Sequence, residues 1–275
     1  MHSDGDRIAQ GAGPESGALA GRIALGISCL MTFRTARVVI AVLILLVVGK
    51  VWPEIEGSVP PANLSAAQIV DEMQRHNQAR NEMLKHYQSL RHYEVKYSGF
   101  PASVAAQMEV EVEYDVASGK SFKVVSQSGS KFLVTKVLLR AVDSEREASL
   151  DKGSTALTAA NYKFQLLGNE SLAGRSAYIL NVEPVVKTKF LYRGKIWVDA
   201  ADFAVVRIEA EPARNPSFWI SHTLIQSTSA KTGDFWLPAR NRSETKVRIG
   251  GTAVLTIDYG TYKIVPETAH LSPGI

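Results

Sequence analysis

Residues 108–115, Met-Glu-Val-Glu-Val-Glu-Tyr-Asp, alternate apolar and acidic side chains without an error. A period of two places the four apolar side chains on one face and the four acids on the other, the pattern of a one-sided antiparallel strand. Ser118-Gly119-Lys120 then reads as a turn, with Phe122 to Ser126 pairing back. Further strands are predicted at 162–168, 174–183, 188–199, 203–211, 218–228, 235–247 and 252–264, with Gly, Pro, Asn or Asp in most connections. The rhythm of a parallel sheet, strand alternating with helix, is missing. The expectation is one antiparallel sheet of about ten strands.

Two segments break the β series. From Ser65, which with Gln68 forms a possible capping box, Ile69, Val70, Met73, Met83, Leu84, Tyr87 and Leu90 recur at helical spacing. They predict an amphipathic helix over 65–90. Leu133, Val134, Val137, Leu138, Ala141 and Val142 predict a second over 131–149. The fold class is therefore mainly β with covering helices, and the sheet is expected to be strongly curved. Strands 174–183 and 188–199 are apolar on both parities, so both of their faces lie away from water. Double coverage by helices explains this, and so does a curved sheet with an apolar cavity on one face. In the cavity reading, Tyr178, Leu191 and Trp197 line the ligand site.

The start of the chain carries an address rather than a fold. Val38 to Gly49 is an uninterrupted aliphatic run preceded by Arg34 and Arg37, the pattern of a secretory signal peptide. It is short of the roughly 20 residues of a spanning helix. Extended to Trp52, with Lys50 snorkelling, it reads instead as a short anchor. The expected organisation is a leader over 1–37 (with Met31 as the true start), a signal peptide or anchor over 38–52, and a linker over 53–64. The domain follows over 65–265 and a tail over 266–275. Cleavage is expected after residue 49, placing the domain in the periplasm or cell envelope. Cys29, the single cysteine, precedes the apolar run, whereas a lipidated cysteine follows one. The folded part thus has no disulfide and no thiol nucleophile.

Motifs for chemistry are missing or misplaced. The 31 Lys+Arg against 27 Asp+Glu form no basic run interleaved with aromatics, so a nucleic-acid surface has no support. Gly119-Lys120-Ser121 imitates the end of a phosphate loop, but Tyr114 stands where the first glycine belongs. His76 and His86, read on one helix, would stand about 15 Å apart, too far to share a metal. Glu109, Glu111 and Glu113 fit a solvated strand face. Nothing in the sequence assembles an active site, and no cofactor or metal is expected.

The order of elements, an export signal, a leading helix and a run of antiparallel strands, resembles the periplasmic lipoprotein-carrier family, LolA-like and LolB-like. The amino-terminal domain of RseB-like sensors shares that fold. The local matches are Ile196-Trp197-Val198-Asp199 with Val206-Arg207-Ile208, Phe235-Trp236-Leu237-Pro238, and Ile257-Asp258-Tyr259 with Tyr262. The resemblance implies a half-open β-barrel whose apolar face, capped by helices, holds acyl chains, a lipoprotein or an apolar protein segment. It implies a carrier or chaperone rather than an enzyme. The alternative is an anchored envelope sensor that binds an inner-membrane partner.

Overall fold

A computed structural model describes residues 63–265 apart from 151, 189, 216, 217, 219 and 249. These belong to the second of two compact units, Glu56–Ile275. The leader, the apolar run, the tail and all but the end of the expected linker lie outside the described residues. Among the described residues no helix is long and apolar enough to cross a membrane.

Helix α1 (Ala66–Met83) starts on the expected capping box. The Ser65 hydroxyl accepts from the Gln68 amide at 3.3 Å, and the Gln68 side chain accepts from the Ser65 amide at 2.9 Å. The helix ends earlier than its apolar stripe suggested. Leu84 is already extended, and His86–Ser98 is strand β1. Along β1 the side chains of Tyr87, Ser89, Arg91, Tyr93 and Val95 are buried at every second position. Met83 and Leu90, read as part of the helical stripe, are exposed. Leu84, Tyr87 and Leu90 stand three apart, so they satisfied a helical period by coincidence. Pairing with β2 (Val104–Asp115) and β10 (Thr252–Tyr259) makes the segment a strand.

The other strands are β3 (Gly119–Gly129), β4 (Tyr162–Leu172), β5 (Arg175–Pro184), β6 (Tyr192–Asp199), β7 (Val205–Pro212), β8 (Ile220–Thr232), β9 (Phe235–Val247) and β11 (Lys263–Val265). All eleven form one antiparallel sheet in the order β3-β2-β1-β10-β9-β8-β7-β6-β5-β4, with β11 continuing beside β1. Edges β3 and β4 do not pair, so the sheet is open. Register breaks at Glu109/Val110, Leu166/Gly168, Trp197/Val198, Ile220/His222 and Thr228/Ser229 bend the strands that carry them. The result is a curved, half-open sheet.

Opposed residues of paired strands share a face, and one row runs across ten strands. It reads Gln127, Met108, Tyr93, Ile257, Asn241, Ser227, Ile208, Ile196, Leu180 and Leu166. Both buried clusters lie on this face. At one end Ile69, Val70 and Met73 of α1 pack on Tyr178, Leu180, Val182, Ile196 and Val198. At the other, Leu133, Val134, Leu138 and Val142 pack on Tyr93, Val95, Met108, Val110, Val112 and Ile257. Those four come from the segment predicted as the second helix: α2 (Lys131–Leu133), a π-helical stretch Val134–Leu138, and α3 (Leu139–Leu150). A short α4 (Lys152–Thr155) follows.

These positions separate the strand reading of 86–98 from the helical one. Met73→Ala removes a fully buried side chain and should cost about 2–5 kcal/mol. Leu90→Ala lies on the opposite, open face and should stay within about 0.5 kcal/mol of the parent. Urea unfolding of the two variants checks both.

Candidate functional site

The helix-covered face is built as two apolar beds with a polar strip between them. The α1 bed includes Tyr162 and Leu191 in addition to the strand residues above. Gly194 sits on the same face at φ +147°, and a Cβ there would stand 2.3 Å from the Glu209 carbonyl oxygen, so only glycine lets β6 and β7 close up here.

The helix is tied down through the β6–β7 turn. Arg80 donates to the Asp202 carbonyl at 2.7 Å and to the Asn77 side chain at 2.6 Å. Asp199 organises that turn by accepting from the amides of Ala201 and Asp202 at 3.0 and 2.8 Å and from Arg175 at 2.6 and 2.8 Å. Phe203, at positive φ, stands between Tyr178 and His76 of α1, its ring centroid 6.3 and 5.3 Å from theirs. Burial, then the neighbouring Arg80 and Arg75, push the His76 pKa down. A neutral imidazole against an aromatic ring suits this seam.

The second bed contains a buried charge. Arg91, 1% exposed, points from β1 toward α3. It donates to Glu145 at 2.7 Å, and Lys120 reaches the other carboxylate oxygen at 2.9 Å. The guanidinium carbon lies 4.6 Å from the Tyr259 ring centroid. Burial pushes Glu145 upward, but the charges and hydrogen bonds of Lys120 and Arg91 outweigh it and hold the carboxyl below its ordinary value. Burial raises the Tyr93 and Tyr259 phenols, so both stay protonated. Ser89 Oγ, Arg91 Nε and Tyr93 Oη are buried with no hydrogen-bond partner among the described residues. They stand at successive inward positions of one strand.

Between the beds, the inward residues of β8 and β9 are Thr223, Ile225, Ser227, Asn241, Ser243 and Thr245, by the same register. Thr223 and Thr245 share a hydrogen bond of 3.0 Å, and the strip is largely half-buried. The face is thus apolar under each helical cover and polar at its centre.

Of the expected ligand-lining residues, the structure brings Tyr178 and Leu191 together within the packed cluster under α1. Trp197 lies on the opposite face of the sheet, where its indole donates to Glu170 at 2.7 Å and Arg207 stacks 4.7 Å from the ring centroid. The second parity of these strands is apolar for a local reason, a tryptophan roofed by polar neighbours.

Open concavities also occur on that opposite face. One of about 770 Å³ is bounded by Leu90, His92, Glu109, Glu111, Glu113 and Lys123 among others; a second of about 480 Å³ by Glu183, Arg193, Glu209 and Glu211 among others. The glutamates of β2 stand on this water-facing side, as their alternation required. His86 and His92 belong to β1 rather than to a helix. They stand 3.5 and 2.6 Å from Glu113 and Glu109. Among the described residues no three metal-ligating side chains gather.

Arg91 and Glu145 were not legible as a pair. Arg91 stands one position past the end of the expected helix over 65–90, and Glu145 lies in a helix with several charges. The one signal was the run Tyr87, Ser89, Arg91, Tyr93, Val95 at period two, in which Arg91 occupies an inward position.

The described domain is thus an open antiparallel sheet covered by helices on one face, with an apolar bed under each cover. No family model matches the chain, and no curated protein does. Solved structures similar to it include a LolA superfamily protein from Nitrosomonas europaea (14% identity, 76% of this chain and 98% of that one, TM-score 0.33). A putative outer membrane lipoprotein-sorting protein domain from Vibrio parahaemolyticus matches at 13% identity over 75% of this chain and 95% of that one, TM-score 0.38. The MucA/MucB complex of Pseudomonas aeruginosa matches at 10% identity, 74% and 100% coverage, TM-score 0.25.

Glu145→Gln leaves the Arg91 charge buried with a weaker partner and should destabilise the domain by about 3 kcal/mol. The double change Arg91→Met, Glu145→Gln should recover most of that loss. Because the folded-state pKa of Glu145 is depressed, its contribution is present above the ordinary carboxylate range, about pH 4.3. It disappears as pH falls through the lowered value. Urea midpoints of the parent and the Glu145→Gln variant measured against pH should therefore converge at the acid end.

Proposed function

We propose that this chain is an exported binding protein, a carrier or chaperone, that takes up an acyl chain or another apolar segment on the helix-covered face. Outward movement of α1 would expose Tyr178 and Leu191 to the ligand, which would replace Ile69, Val70 and Met73 on the same bed. The observation that carries this reading is the construction of the α1 seam. Its apolar contact is continuous, and its polar tie runs through Arg80 to a turn shaped by Asp199. An apolar contact accepts an apolar substitute with little change in free energy, whereas a catalytic site requires fixed polar groups. The aliphatic run at 38–49 supports placement outside the cytoplasm.

Titration of delipidated protein with fatty acids of increasing length tests the proposal. Each added CH₂ contributes about 0.8 kcal/mol when buried, so affinity should rise roughly fourfold per carbon until the bed is full. Amide exchange within residues 66–83 should change on binding, and Arg80→Met should speed uptake. Absence of binding at every chain length, or binding that leaves the exchange of 66–83 untouched, overturns it.

A further inference from the structure

Because the sheet is antiparallel and built largely from neighbours in sequence, its connections divide between two rims. One rim carries the described residues of 99–103 between β1 and β2, 130 leading into α2, 156–161 leading into β4, 185–191 between β5 and β6, 213–219 between β7 and β8, and 248–251 between β9 and β10. The exposed aromatic side chains of the described domain collect there. Phe100 is 80% exposed, Phe132 at the start of α2 is 68%, and Phe218 is 73%. Val185 and Val186, in the β5–β6 loop of the same rim, are also exposed.

Charge divides in the same way. Lys131, Lys187, Arg214 and Arg248 stand exposed on this rim, and none of the loops just named contains an Asp or Glu. Among the described residues no salt bridge joins any of these four to a carboxylate, and Arg248 lies 4.7 Å from the Phe218 ring centroid. The loops of the opposite rim carry Asp202 and Asp234 against Lys85, and Arg175 and Lys231 at the adjoining strand ends pair with Asp202.

From this segregation we infer that the basic, phenylalanine-bearing rim docks on the surface of an anionic lipid bilayer. Aromatic and aliphatic tips insert at the headgroup boundary, and flanking Lys and Arg meet the negative surface. A lipid surface matches both features together, because it offers anionic charge and a yielding apolar layer a few ångströms beneath it. The chain also enters the domain at this rim. Helix α1 ends at the opposite rim, where Arg80 donates to the Asp202 carbonyl, so its start, 18 residues back, lies toward this one. In sequence the apolar run 38–49 ends only residues 50–62 earlier. The inference rests on the rim alone and stands whatever the inner face binds.

The test uses the full chain with Cys29→Ser, so that each variant carries one cysteine. Val186→Cys reports from the rim and Ser118→Cys from the opposite one, each labelled with an environment-sensitive fluorophore. Vesicles are phosphatidylcholine with or without phosphatidylglycerol. With anionic lipid, the Val186→Cys probe should shift to the blue and be quenched by nitroxide-labelled lipid, while the Ser118→Cys probe stays in water. Lys187→Gln, Arg214→Gln and Arg248→Gln should each weaken the response about fivefold, high salt should abolish it, and Phe100→Ser should reduce quenching. All are exposed positions, and an unchanged thermal midpoint confirms folding. Equal signals at both rims, which attachment through residues 38–49 alone would produce, overturn the inference. So does a rim signal indifferent to phosphatidylglycerol, or one unchanged by the charge variants.

Discussion

The burial of a single face of one long sheet organises this domain. The row from Met108 to Leu166 shows what that requires: an open sheet of this width presents far more inward surface than one helix can cover. Two helical segments therefore cover its ends, α1 over β4–β6 and the 131–150 segment over β1, β2 and β10. At the centre, where no apolar bed forms, β8 and β9 turn Ser, Thr and Asn inward around Ile225. Hydroxyl and amide groups satisfy one another or water there, as Thr223 and Thr245 do.

The two covers are held differently. The 131–150 segment closes over a buried guanidinium, and removing a partner would strand a charge. That makes it the stiffer cover. The seam of α1 is apolar apart from its Arg80 tie, and the turn receiving Arg80 is itself braced by Asp199 and Arg175. An apolar seam exchanges one apolar partner for another without desolvating charge. The mobile cover is thus expected at α1, and the proposed ligand bed lies beneath it.

Separation of faces and rims gives one sheet several independent surfaces. The helix-covered face buries the apolar side chains, the opposite face carries glutamates and histidines toward water, and the two rims differ in the charge of their loops. Antiparallel connectivity creates the two rims, since alternate connections must emerge at alternate ends, and the residue types of the loops set the charge of each.

Much of the architecture was written locally. The alternation of 108–115, the Ser65 capping box, the stripe of 131–149 and the strand spacing beyond 162 each rest on neighbours in the chain, so their physics is readable without a fold. Residues 86–98 were not readable in that way. Leu84, Tyr87 and Leu90 fit a helical period, and only sheet pairing makes Tyr87 and Leu90 strand. Residue type at 178, 191 and 197 announced burial but not the side of the sheet, which the bulge at Trp197/Val198 and the long-range register decide. The partnership of Arg91 with Glu145 likewise exists only once β1 and α3 are brought together, because a charged pair 54 positions apart leaves no local trace. Local periodicity determined which elements form; the tertiary structure decided which face each one shows and what it meets there.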